Sequence, residues 1–181
     1  MQTRTRVPGL RLARGIERLI DAVGQLTLWL ALAMIALVAT NVLLRYAFAL
    51  GSVWAQELEW HLLAAMIMLG MSHALQRGDD VRVDLLYGRF SEPTRRWVDR
   101  VSLVLLLAMA TLLVWLSMGY VAQAWAVAER SNDPGGIPWR WAVKALIPAG
   151  FALVALHAVA ALLRNLAAPA ALGKSTETSH G

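Results

Sequence analysis

Residues 22–44 read AVGQLTLWLALAMIALVATNVLL, and this stretch decides the fold of the chain. Asp21 and Arg45 bound it, and none of the 23 residues between them carries a charge. A helix needs about 20 apolar residues to cross a hydrocarbon core roughly 30 Å thick. The stretch therefore predicts a transmembrane helix.

Three further charge-free runs follow along the chain. They hold 17 residues at 60–76, 28 residues at 101–128 and 19 residues at 145–163. The composition agrees, with 58% hydrophobic and only 16% charged residues, because soluble domains are about half apolar and about a quarter charged. We predict an all-α membrane protein with four transmembrane helices at about residues 22–44, 58–76, 99–125 and 144–163.

The placement of lysine and arginine predicts how the chain crosses the membrane. Thirteen of the 17 basic residues lie before the first span, between the second and third, or after the fourth. Cytoplasmic segments of membrane proteins carry such an excess, so we expect both termini in the cytoplasm. This distribution also accounts for the net charge of +5, so we expect no nucleic-acid partner.

The segments around the spans have compositions of their own. Residues 1–21 form a basic amphipathic segment whose arginines are expected to meet anionic membrane lipids. Residues 51–59 are predicted to form a short interfacial helix with Ser52 as its N-cap. Residues 166–181 end in small and polar residues and are expected to be a flexible cytoplasmic tail.

The sequence offers little for catalysis or ion binding. It has no cysteine, and Asp, Glu, Lys and Arg occur only at the ends of the predicted spans, not in their interiors. Pro148 is expected near the first turn of span four, where proline is tolerated. A carrier needs intramembrane polar groups or broken helices, so we expect no enzyme, no metal, no cofactor and no transport site within this chain.

Two histidines leave an alternative open. His73 in span two and His157 in span four fall at broadly similar depths and could together hold a haem. The favoured interpretation is that they are polar side chains that hydrogen-bond between helices. The alternative function is therefore a small haem-binding electron-transfer protein, and a third is a four-helix membrane protein that assembles without partners.

Polar and aromatic residues cluster at the outer ends of the predicted spans. Arg45 can reach the headgroups or pair with Glu57 or Glu59, and pairing is favoured. The segment Asn-Asp-Pro-Gly-Gly at 132–136 has turn chemistry. Trp54 belongs to an aromatic-rich outer face, which forms an aromatic belt or a docking surface.

Several motifs in order resemble the small membrane subunit of TRAP transporters, the DctQ-type permease. They are NVLLRY at 41–46, WAQELE at 54–59, LGMSHAL at 69–75, VRVD at 81–84, SNDPGGIP at 131–138, and Lys144 followed by IPAGF at 147–151. The family often has His before VRVD, where this chain has Asp80.

The resemblance implies a scaffold subunit in the bacterial inner membrane. It would pack against a large elevator-type permease of about a dozen spans and serve a periplasmic substrate-binding protein in ion-coupled uptake of an organic acid. The matching positions are our structural and interface candidates: Asn41, Arg45, Trp54, Glu57, Glu59, Arg82, Asp84, Ser131, Asp133, Pro134, Gly135, Gly136, Lys144 and Pro148.

Overall fold

The structure, a computed structural model, describes residues 8–78 and 91–172, with side chains for 9–78 and 91–167. Within these ranges it has four helices: α1 (Pro8–Phe48), α2 (Val53–Arg77), α3 (Glu92–Ala126) and α4 (Arg140–Leu172). Each is long and apolar enough to cross a membrane. The predicted all-α architecture with four spans is confirmed. Arg82, Asp84 and the last residues of the tail lie outside the described residues.

Short polar signals mark the ends of α2 and the start of α3. Ser52 caps α2, its Oγ accepting a hydrogen bond from Ala55 N at 3.3 Å. Gly78 ends the helix with φ +73°, which glycine adopts without a steric penalty. Ser91 precedes α3, with Pro93 in the first turn. The predicted N-cap at Ser52 is confirmed.

From residue 8 onward the predicted amphipathic segment is part of α1, and from residue 53 onward the predicted interfacial segment is part of α2. With 41 residues, α1 is about 60 Å long, roughly twice the hydrocarbon thickness. The apolar side of its early turns packs against α4, while Arg11, Arg14 and Arg18 remain exposed. Ala13, Ile16, Ile20 and Ala160 form the buried cluster, with Leu156, Val159 and Leu163 packed around it.

The last helix is the centre of the bundle. It packs against α1, α2 and α3, while α1 also packs against α2 and α3 packs mainly along α4. Gly150 brings α4 very close to α2, because a Cβ placed there would lie 2.6 Å from the carbonyl oxygen of Met68. Small residues allow such backbone approaches between transmembrane helices. By contrast, α3 presents a broad apolar surface outward.

The position of Pro148 corrects a further expectation. Because α4 begins at Arg140, Pro148 lies two turns inside the helix rather than near its first turn, and it is buried. The prediction started span four at Lys144, but residues 140–144 are already helical although they include charges. Proline has no N–H, so the Lys144 carbonyl lacks its usual intrahelical donor.

Candidate functional site

The two short connections, residues 49–52 and 127–139, lie at one end of the bundle, which we call the loop end. We call the opposite end the termini end; it contains the start of α1, the end of α2 and the start of α3. Most of the sequence-predicted candidates lie at the loop end.

Glu57, in the second turn of α2, fixes the α3–α4 connection. Its Oε1 accepts a hydrogen bond from Ser131 Oγ, and its Oε2 accepts one from the Ile137 backbone N–H at 2.5 Å. Hydrogen bonds to a carboxylate are stronger than those between neutral groups. One side chain of α2 thus holds both ends of the 131–137 turn.

The turn itself depends on its two glycines. Gly135 has φ +85°, a backbone conformation that side chains disfavour. A Cβ on Gly136 would lie 2.5 Å from Ser131 Oγ and 2.7 Å from Glu57 Oε2. Asp133 closes the turn, its carbonyl accepting from Gly136 N–H at 3.1 Å. Pro134, between Asp133 and Gly135, lies on the exposed part of the turn.

Lys144, in the first turns of α4, holds the start of the same connection through Glu129. Its Nζ forms an ion pair with Glu129 Oε2 and lies 3.9 Å from the centroid of the Tyr120 ring. Cation–π contact adds to the ion pair because the ring face is electron-rich. Nearby, Trp125 and Trp141 pack edge to face with ring centroids 4.6 Å apart. Together these contacts link the end of α3 to the start of α4.

The second carboxylate of α2 faces a different neighbour. Glu59 Oε1 accepts a hydrogen bond from Asn41 Nδ2 at 3.0 Å, and Asn41 is only 8% exposed. Residues two apart on a helix point to different sides. Glu57 therefore serves the α3–α4 connection, while Glu59 joins α2 to α1.

The expected pairing of Arg45 with Glu57 or Glu59 is not formed. Arg45 is exposed in the last turn of α1 and makes no hydrogen bond or ion pair within the described residues. Both carboxylates already have other partners, Ser131 and Asn41 among them. Trp54 is also exposed, at the beginning of α2.

Sequence reasoning missed several of these contacts. Glu129 was not singled out, although it and Lys144 flank the turn with opposite charges, a signal that could have found the pair. The backbone N–H of Ile137 carries no sequence signal at all. Gly150 belongs to a quoted motif, but only the helix packing shows its close approach to Met68.

The termini end carries a polar network. Gln76 Nε2 donates to Asp21 Oδ1 at 2.9 Å and to the Glu17 carbonyl at 3.3 Å. Arg164 forms an ion pair with Glu17. Asp21, Gln76 and Glu17 thereby join α1 to α2, and Arg164 adds α4. Sequence analysis did not predict this network.

The structure gives no support to the haem alternative. His73 packs against Gly24 of α1, with its Nδ1 3.5 Å from Asp21 Oδ1. His157 instead lines a separate cleft beside α3. Within the described residues there is also no group of three His, Cys, Asp or Glu side chains suited to a metal.

The geometry defines a multi-pass helical membrane protein whose charged contacts lie at the two ends of its bundle. Residues 34–168 match the family model described as tripartite ATP-independent periplasmic transporters, DctQ component, and the chain belongs to this family. It is thus a component of a TRAP transporter, and its family is not one of enzymes. No curated protein and no solved structure matches the chain.

Proposed function

We propose that this chain is the small scaffold subunit of a TRAP transporter in the bacterial inner membrane. It packs against the large permease subunit and supports ion-coupled uptake of an organic acid delivered by a periplasmic binding protein. Membership of the DctQ component family supports this role. The large permease supplies the ion and substrate sites.

The distribution of charge supports a scaffold rather than a carrier. Ionisable side chains of the described helices gather at the loop end, as with Glu57 and Lys144, or at the termini end, as with Asp21 and Arg164. The apolar stretches between them carry no Asp, Glu, Lys or Arg. A site for a charged substrate inside the bilayer would need such groups.

One observation carries the assignment of the partner surface. Trp115 lies mid-way along the apolar run of α3 and is 73% exposed. Tryptophan favours the membrane interface, because its indole N–H has no hydrogen-bond partner in hydrocarbon. Tryptophan is also enriched among residues that dominate protein interfaces. We therefore assign the outward surface of α3 around Trp115 to contact with the large permease.

The loop end is the surface proposed for the binding protein. Glu57 and Lys144 hold the 127–139 connection against the helices, so Trp54 and Trp139 are displayed on fixed backbone. Fixed aromatic side chains lose little conformational entropy when a partner covers them. This proposal places the loop end in the periplasm, in agreement with the positive-inside prediction.

Co-purification tests the partner assignment. The tagged chain is expressed with the large permease subunit, extracted in mild detergent, and the bound permease is quantified. Trp115→Leu should reduce the bound permease severalfold, whereas Trp97→Leu, on the same helix near the termini end, should leave it unchanged. Equal yields from the two variants would remove α3 from the interface, and no bound permease with the unmodified chain would overturn the proposed function.

A separate experiment tests the orientation. The chain has no cysteine, so single cysteines report their side of the membrane to an impermeant maleimide. Asn132→Cys at the loop end should label in intact spheroplasts, and Ser91→Cys at the termini end should label only after lysis. The opposite pattern would place the loop end in the cytoplasm.

A further inference from the structure

A cleft opens at the termini end between α2 and α3, with α4 as its floor. Its volume is about 780 Å³, within the roughly 300–1,000 Å³ typical of ligand pockets. The cleft exists because α3 packs along α4 and makes at most a marginal contact with α2. Leu75 of α2 lines one wall, and His157 of α4 lines the floor.

The mouth of the cleft is basic. Arg77, in the last turn of α2, is exposed and makes no ion pair within the described residues. Arg164 pairs with Glu17, yet its side chain is 55% exposed at the cleft. Arg100 contacts the lining of the cleft, its Nε donating to Asn165 Oδ1 at 2.7 Å. Among the described residues that line the cleft, two are arginines, Arg77 and Arg164, and one is a carboxylate, Asp99.

The interior of the cleft is apolar on the side of α3. Leu103 and Leu106 line it, about one and two helical turns deeper than Asp99. The lining thus changes from charged to apolar in the direction of the bilayer centre. A water-soluble anion would contact the arginines but leave the apolar wall without a partner. A phospholipid has a charged headgroup for the arginines and an acyl chain for the apolar wall.

We propose that this cleft binds one anionic phospholipid. The phosphate lies at Arg77 and Arg164, and an acyl chain follows Leu103 and Leu106 between α2 and α3. Basic pockets between helices on the cytoplasmic side of a membrane bind anionic headgroups in this way. The lipid fills the gap that the weak α2–α3 contact leaves, so it acts as packing between these helices.

Lipid titration followed by native mass spectrometry tests the proposal on the full chain, purified in detergent and stripped of lipid. Phosphatidylglycerol should bind as one tight equivalent, and phosphatidylcholine should bind more weakly. Arg77→Gln should weaken phosphatidylglycerol binding about fivefold. Arg45→Gln, a change at an equally exposed and unpaired arginine of the loop end, should have no effect.

A second pair of variants tests the apolar part of the cleft. Ala161→Trp fills the cleft from α4 and should abolish the tight equivalent, while Ala142→Trp on the exposed loop end of α4 should retain it. Equal binding of the two lipids, or equal effects of Arg77→Gln and Arg45→Gln, would overturn the proposal. Displacement of the lipid by an equal concentration of glycerol phosphate would identify a soluble-anion site instead.

Discussion

Gly150→Ala is the substitution whose effect on the free energy of unfolding follows most directly from the structure. The added Cβ would lie 2.6 Å from the Met68 carbonyl oxygen, whereas ordinary contact begins at 3.4 Å. Both partners are held by helix backbone, so neither can rotate away. We expect α2 and α4 to separate by about 0.8 Å at this point, a strain typical of overpacked interiors that costs about 1–3 kcal/mol.

Thermal unfolding in detergent, followed by tryptophan fluorescence, measures this cost. For a chain of this size, about 2 kcal/mol corresponds to a fall in Tm of roughly 4–8 °C. Gly119→Ala is the matched control, because Gly119 is also helical but a Cβ there meets nothing within 4 Å. That variant should keep its Tm or gain slightly, since alanine favours helix over glycine. If the two variants unfold at the same temperature, the inferred approach of α2 and α4 is wrong.

Three further predictions concern the loop end and the haem alternative. Glu57→Gln should speed hydrogen exchange at the Ile137 amide, because a carboxamide accepts that hydrogen bond less strongly than a carboxylate. Glu59→Gln should leave this exchange rate unchanged, because Glu59 bonds Asn41 instead. Equal Ile137 exchange rates in the two variants would contradict the anchoring role of Glu57. Gly136→Ala should make the 131–137 turn sensitive to proteolysis, whereas Gly51→Ala, where a Cβ has open space, should not. A protease-resistant Gly136→Ala chain would argue against the close approach of Gly136 to Ser131 and Glu57. The purified chain should show no Soret band, and a haem spectrum would reinstate the electron-transfer alternative.

The sequence predicted the helices well because one strong physical constraint sets them. A helix that crosses the hydrocarbon core needs about 20 uncharged residues, and the charge-free runs of the sequence therefore locate the transmembrane helices. The same signal placed Pro148 wrongly, since α4 begins at Arg140 and so includes charged residues outside the apolar run. A charge can end a transmembrane run without ending the helix.

The side-chain contacts were less predictable because they depend on helix rotation. The motifs pointed to Glu57, Glu59 and Asn41, yet spacing alone could not decide which carboxylate faces α1 and which faces the loop. Arg45 was assigned a carboxylate partner that the structure gives to Asn41 instead. Packing between distant segments, such as Ile20 with α4, has no local signal in the sequence.

The central position of α4 has a consequence for how the protein is made. Of the four described helices it is the last to leave the ribosome, yet α1, α2 and α3 all pack against it. Until it is inserted, α1 and α2 can pair only with each other, and α3 has no substantial neighbour. The arrangement of these four helices therefore forms only once α4 is inserted, and a chain that stops before residue 140 would leave α1, α2 and α3 in the bilayer without the helix that joins them.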